Sequence, residues 1–220
     1  MPLTTLRKLL LHLWLLLATS VVVIVTTLRP SAAWSIARWW ARGVLRVAGA
    51  RCRIEGRDQS LGEGPFVILC NHRSYMDTPL LIAHLPIFFG FIVKQELMRI
   101  PIFRGAMRAI GCVAVSRRGS RKDHAVLDSV AVEVKGGKNV LLFPEGSRSP
   151  TDEFLPFKKG GVVLAIKAQV PILPVAVSGT NRVLSADRST LRPGPLLLRI
   201  GSPISTTGLG LEDRERLLDE

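Results

Sequence analysis

The run from Leu9 to Leu28 constrains this chain more than any other stretch. LLLHLWLLLATSVVVIVTTL carries no formal charge and is interrupted only by His12 and a few hydroxyls. As a helix it rises about 30 Å, enough to cross a hydrocarbon core, so it demands a bilayer or a large apolar partner. Arg7 and Lys8 precede it and Pro30 ends it. In the following SAAWSIARWWARGVLRVAGA, Arg38, Arg42 and Arg46 mark one helical face, with Ile36, Trp40, Val44 and Val47 near the opposite one. Together with Trp34 and Trp39, that pattern predicts an interfacial amphipathic helix. Two arrangements stay open: a spanning helix with an interfacial follower, or a hairpin that dips into one leaflet. A cleaved signal peptide ending near Ser31-Ala32-Ala33 is the rival, although the apolar run is long for one. Counting cations on either side of the run puts the remainder of the chain on the cytoplasmic face of the cell membrane.

The formal charge of +13 requires an anionic partner. The basic residues are not interleaved with aromatics as in a single-strand binder, and no helix-turn-helix, zinc-finger or RNP pattern appears, so no nucleic acid is expected. The first acidic residue is Glu55, after eight lysines and arginines that flank or follow the membrane-type run. Anionic lipid of the bilayer is therefore the expected partner. Cys52, Cys70 and Cys112 are odd in number and lack metal-ligand spacing, which fits a reducing compartment and no metal site.

From residue 51 the pattern turns globular. Strands are expected at Arg51–Glu55, Phe66–Cys70, Ile87–Val93, Cys112–Val115, Val140–Phe143, Ile172–Val177 and Leu196–Ile200. Helices are expected at Ser74–His84, Glu96–Ile110 (broken by Pro101 and Gly105), Arg121–Lys135, Gly160–Ala168 and Glu212–Leu218. The alternation predicts an α/β fold with a mixed, largely parallel sheet flanked by helices. The expected organisation is an N-terminal membrane-binding two-helix segment over residues 1–50 and one α/β domain over 51–220.

Chemistry concentrates where strands end. In FVILCNHRSYMD the apolar strand is followed by His72, and Ser74-Tyr75-Met76-Asp77 has the form of a capping box opening a helix. Sites in α/β sheets are built at such corners. Read alone, the stretch equally allows a site at this corner and the plainer alternative, in which Asp77 is merely a cap and His72 a loop residue. A Cys70–His72 nucleophile pair is a further possibility, but Cys70 ends an apolar run and reads better as a buried thiol. KQELMRIPIFRGAMRAIGCVAVSRR supplies Lys94 and, after a short strand, Arg117, a cation suited to an anionic group. In FPEGSR, Glu145 and Arg148 either pair with each other or hold a polyol and a phosphate. FKKG sets Lys158 and Lys159 before a helix start, and VPILPV begins another strand.

Taken in order, NHRSYMD, the G-x-x-x-x-x-R of residues 111–117, FPEGSR and VPILPV resemble the four motif blocks of the 1-acylglycerol-3-phosphate acyltransferase family. The resemblance covers roughly residues 50–205, with KQELMRIPIFRGAMRAIG, FKKG and the closing IGSPI in keeping. It implies transfer of a fatty acyl group from acyl-CoA or acyl carrier protein to the hydroxyl of lysophosphatidic acid, giving phosphatidic acid, with no cofactor. His72 is then the general base and Asp77 its orienting partner. Lys94, Arg117, Glu145, Gly146, Ser147 and Arg148 bind the acceptor's phosphate and glycerol, and Pro171 belongs to the acyl-pocket block. Two departures, Ser147 in place of the usual threonine and no acid before Arg117, bear on the acceptor. The alternatives are the same chemistry on another lyso-lipid such as lyso-ornithine lipid, an acyl-thioester hydrolase, and a basic membrane-binding protein with an inactive acyltransferase fold.

Overall fold

The computed structural model describes residues 3–56, 61, 64–115, 123–149, 153–185, 187 and 189–219. Among them, a seven-stranded sheet has the order β1-β7-β6-β2-β5-β3-β4. Its strands are β1 (Ala50–Glu55), β2 (Val67–Cys70), β3 (Gly90–Lys94), β4 (Val113–Val115), β5 (Val140–Leu142), β6 (Ile172–Ser178) and β7 (Gly194–Ile200). From β6 through β4 all neighbours are parallel; β7 turns antiparallel on β6 and carries β1 parallel to itself. The mixed, largely parallel sheet expected from the sequence is present, and its central strand β2 is the apolar run VILC, covered on both faces.

The helices are α1 (Leu3–Leu28), α2 (Ala33–Ala48), α3 (Asp77–His84), α4 (Pro101–Ala109), α5 (Asp123–Lys135), α6 (Gly160–Ala168), α7 (Thr180–Val183) and α8 (Arg214–Asp219). Ile68 and Cys70 of β2 point into one core with Ala41, Val44 and Leu45 of α2 and Leu80 and Leu81 of α3. Val67 packs in a second core with Val130 of α5 and Leu164 of α6. The expected helix over Glu96–Ile110 divides into a 3₁₀ turn, Gln95–Arg99, and α4, whose first residue is Pro101. A proline has no N–H to give to a continuing helix, so it starts one instead. The short α7 has no clear signal in the sequence, and residues 121–122 of the helix expected over Arg121–Lys135 lie outside the described set.

The N-terminal segment folds as an antiparallel hairpin through a 3₁₀ turn at Pro30–Ala32. Of the α2 face expected to meet lipid, Val44 is buried and Ile36, Trp40 and Val47 are half-buried; Ala37, Ala41, Leu45 and Ala48 beside it are buried. Small residues allow that close approach. On the other side of α2, Gly43 meets α1 so closely that a Cβ there would lie 1.9 Å from the Trp14 ring. Trp14 Nε1 donates to Trp40 O at 3.2 Å, and Trp40 Nε1 donates to Thr19 Oγ1 at 3.2 Å. α1 also touches α4, and its outer face leaves Leu9, Leu10, Leu13, Leu16, Leu17 and Ile24 exposed.

Candidate active site

The parallel strands β2 and β6 pair as far as Cys70 and Val175. Beyond that rung the Asn71 side chain takes over. Its Nδ2 donates to Val177 O at 2.9 Å and its Oδ1 accepts from Val177 N at 2.7 Å. The amide thus acts as one more ladder pair while the backbone of β2 leaves the sheet. His72 stands where the chain turns away, at the carboxyl end of the central strand.

His72 Nδ1 lies 2.7 Å from Asp77 Oδ2. A carboxylate can only accept, so Nδ1 carries a proton, and in the neutral ring Nε2 holds the lone pair. Nε2 has no hydrogen-bond partner among the described residues. One face of the imidazole is covered by Phe143, stacked with centroids 3.9 Å apart at 15°. The His72 side chain is 14% exposed and that of Asp77 is 0% exposed, so the pair is anchored on the protein side and open on the other.

Asp77 behaves differently from a simple division of labour between its two oxygens. Oδ2 alone accepts from His72 Nδ1, from Arg73 N at 2.7 Å and from Ser74 N at 2.9 Å. Oδ1 is buried without a partner among the described residues. The Ser74 N bond is the return half of the expected capping box, and Ser74 Oγ accepts from Met76 N at 3.1 Å. Regular α-helix nevertheless begins at Asp77 rather than at Ser74, because the turn before it is closed by these side chains.

The FPEGSR segment closes over the same corner. Glu145 is 3% exposed, and both its oxygens are held by backbone: Oε1 accepts from His72 N at 2.7 Å and Oε2 from Leu155 N at 2.9 Å. Expected beside a glycerol hydroxyl, it instead fixes the histidine's own backbone, because burial forces a carboxylate onto nearby donors. It does not pair with Arg148. Gly146 sits at φ +74 in the turn, where a Cβ would lie 2.5 Å from Lys158 Nζ. Ser147 is exposed. Arg148 Nη2 donates to Tyr75 OH at 2.8 Å, with its Cζ 3.8 Å from the Tyr75 ring centroid. Ser149 N donates to His72 O at 3.0 Å, and Lys158 N donates to Pro144 O at 2.9 Å. Arg73 Nη1 and Ser149 Oγ both donate to Glu153 O. Three stretches, 72–77, 143–149 and 153–158, are thereby tied into one unit.

The other expected site residues are placed unevenly. Lys94 is the last residue of β3, at the same carboxyl end of the sheet, and only its backbone is described. Arg117 lies outside the described residues. Pro171 precedes β6 and its carbonyl accepts from Val67 N, which puts it at the entry end of the strands, away from His72. Nearby, an apolar cleft of about 260 Å³ is lined by Leu69, Pro144, Phe157, Pro174, Ile204 and Leu218. Cys70 is 1% exposed. Burial, reinforced by the Asp77 and Glu145 carboxylates, pushes its thiol well above the ordinary range, so a thiolate nucleophile beside His72 is disfavoured. The pattern-based reading passed over Asn71, Arg73, Tyr75 and Phe143, although Tyr75 was visible as the one tyrosine of the chain, inside H-x4-D.

The chain and its fold have clear relatives. The acyltransferase family pattern matches residues 51–178. The chain belongs to the acyltransferase family. It is 32% identical over 181 residues to the 1-acyl-sn-glycerol-3-phosphate acyltransferase of Saccharomyces cerevisiae, a match covering 81% of this chain and 59% of that protein. It is 30% identical over 186 residues to the human 1-acyl-sn-glycerol-3-phosphate acyltransferase beta, covering 84% and 67%. The chain therefore spans about three fifths of the yeast protein's length. The crystal structure of the 1-acyl-sn-glycerophosphate acyltransferase PlsC from Thermotoga maritima superposes with a TM-score of 0.80 at 26% identity, covering 99% of this chain and 93% of that one. The described residues of the candidate site from His72 to Glu153 fall within the stretch matched to the acyltransferase family.

Proposed function

We propose that this acyltransferase moves a fatty acyl group from an acyl thioester, of CoA or of acyl carrier protein, to the free hydroxyl of 1-acylglycerol-3-phosphate, giving phosphatidate. The observation that carries the reading is the 2.7 Å contact of His72 Nδ1 with buried Asp77. A thioester is already activated, so the missing part is a base for a weakly nucleophilic alcohol. In the proposed step His72 Nε2 takes the hydroxyl proton as its oxygen attacks the thioester carbonyl. Asp77 holds the tautomer and stabilises the imidazolium that forms. The imidazolium then returns the proton to the departing thiolate, so no acyl-enzyme is needed. The names of the relatives support the acceptor. Arg148, together with Lys94 and Arg117, is assigned to the acceptor's phosphate, since arginine suits bidentate binding of that group.

The exposed leucines of α1 are assigned to the bilayer, with the exposed Arg42 and Arg46 of α2 toward anionic headgroups. Of the two membrane arrangements, a hairpin within one leaflet is favoured. α1 is packed along α2 and α4, and a spanning α1 would have to leave those contacts or carry helices of the core into the hydrocarbon. A lysolipid with a long chain resides in the bilayer, so a site at headgroup level meets it without full extraction into water. The cytoplasmic face is the assigned side.

The test offers purified protein lysophosphatidate and other lyso-lipids with labelled acyl thioesters in mixed micelles. Phosphatidate should form from lysophosphatidate, and His72→Ala should abolish most of it. Free fatty acid release without transfer to any acceptor would replace this reading with a hydrolase, and transfer only to a phosphate-free lyso-lipid would replace the acceptor.

A further inference from the structure

We propose that Tyr75 is a positioning residue for acceptor recognition: it clamps the Arg148 guanidinium in the orientation that receives the acceptor's phosphate. The inference rests on the assignment of Arg148 to the phosphate and adds the residue that makes that arginine effective.

Tyr75 is the chain's single tyrosine and stands in the turn between His72 and Asp77. Its ring lies beneath the guanidinium, with Arg148 Cζ 3.8 Å from the ring centroid. Its hydroxyl accepts from Arg148 Nη2 at 2.8 Å. The face and the hydroxyl together fix both the plane and the rotation of the group. A guanidinium carries several N–H donors and the hydroxyl uses one, which leaves enough for two parallel bonds to a phosphate. The backbone is held to the same segment, since Ser149 N donates to His72 O at 3.0 Å. Arg148 is therefore referenced to the stretch that carries the base, and a phosphate bound to it has a set relation to His72 Nε2.

A long arginine side chain on a loop loses much rotamer freedom when it binds. An arginine already stacked has lost that freedom beforehand, so ligand binding no longer bears it. A purely structural role is the weaker account. Tyr75 is 40% exposed, and a solvent-facing cation–π contact adds little to folding. Its location within H-x4-D, touching the FPEGSR arginine, suits recognition better than packing.

The test measures kcat and KM of the detergent-solubilised full chain for lysophosphatidate and for the thioester, in Tyr75→Phe, Tyr75→Leu, Arg148→Ala and the Tyr75→Leu/Arg148→Ala double variant. Tyr75→Phe, which keeps the face and removes the acceptor oxygen, should raise the lysophosphatidate KM about threefold. Tyr75→Leu, which removes both, should raise it about tenfold. Thioester KM and kcat should stay near wild type. In the Arg148→Ala background Tyr75→Leu should have no further effect, since its partner is gone. If Arg148→Ala raises the acceptor KM but Tyr75→Leu does not, or if the two losses add, the positioning role is overturned while the phosphate assignment stands. If Arg148→Ala itself leaves the acceptor KM unchanged, both are overturned. A fall in kcat with unchanged KM in Tyr75→Leu would also overturn the positioning role and mark a structural one.

Discussion

Replacing Glu145 distinguishes a residue that touches substrate from one that holds the base. Its two oxygens accept from His72 N at 2.7 Å and Leu155 N at 2.9 Å, and the side chain is 3% exposed. A hydrogen bond to a charged group contributes about 1.5–3 kcal/mol. Glu145→Gln keeps one acceptor and points an amide donor at the other N–H, so about 2–3 kcal/mol should be lost. Glu145→Ala orphans both N–H groups and should cost about 3–5 kcal/mol. In a chain of this length each kcal/mol lowers the melting temperature by about 2–4 °C, so Glu145→Gln should melt about 5–10 °C lower. The kinetic consequence follows from the His72 bond. Freed at its backbone, the imidazole shifts relative to the acceptor, and a displacement of about 1 Å can cost about 100-fold. Glu145→Gln should therefore lower kcat about 10–100-fold while the lysophosphatidate KM stays near wild type. The assay is initial rates in mixed micelles against both substrates, with thermal unfolding of the same preparation. A raised acceptor KM with kcat and melting temperature unchanged would refute the tether and return Glu145 to the glycerol.

Other perturbations have equally specific outcomes. His72→Ala should lower turnover about 10²–10⁴-fold with vesicle co-sedimentation intact, whereas near-normal rates would remove the base from the mechanism. Asp77→Asn keeps the shape but loses the charge facing the imidazolium, so kcat should fall by up to about 10⁴-fold with acceptor KM unchanged. Cys70, whose thiol is pushed up by burial, keeps its proton where an unfolded cysteine ionises, at about pH 8.5. Alkylation at that pH should be slow in the folded protein. By linkage the protonated thiol's contribution to stability is full below that pH and declines above it, so urea midpoints should fall from about pH 8.5 upward. Gly43→Ala sets a Cβ 1.9 Å from the Trp14 ring and should destabilise by about 1–3 kcal/mol in thermal unfolding, and Trp14→Ala in the same chain should relieve part of that loss.

Six of the seven strands were legible as short apolar runs bounded by turn signals, β1 (ARCRIE) by alternation of arginines with smaller or apolar residues, and Pro101 announced the break before α4. The His72–Asp77 pair was equally legible, since a strand end and a capping signature put the two residues at one corner. What escaped the pattern depended on which atom meets which. Glu145 three residues before Arg148 suggests a charge pair, yet burial sends the carboxylate to backbone donors and the arginine to Tyr75. The packing of α2 was less legible because alanines and Gly43 register weakly as apolar positions, although they permit the tightest helix contacts. Pro171, which the resemblance puts in the acyl-pocket block, lies at the entry end of the parallel strands, a position set by strand direction that the motif alone does not give.

The hydrogen bonds of Asp77 Oδ2 have a consequence for how activity is lost. His72 and Asp77 are five residues apart, and the other two donors on that oxygen lie between them. The dyad is a nearly self-contained loop with little closure entropy. Arg148 and Glu145, by contrast, reach this loop across a separation of 73 residues. Mild denaturant or heat that loosens long-range contacts should first release both Arg148 from Tyr75 and the His72 backbone from Glu145, while the local His72–Asp77 contact is still made. Acceptor affinity and turnover should then fall together, ahead of any break in the His72–Asp77 pair itself.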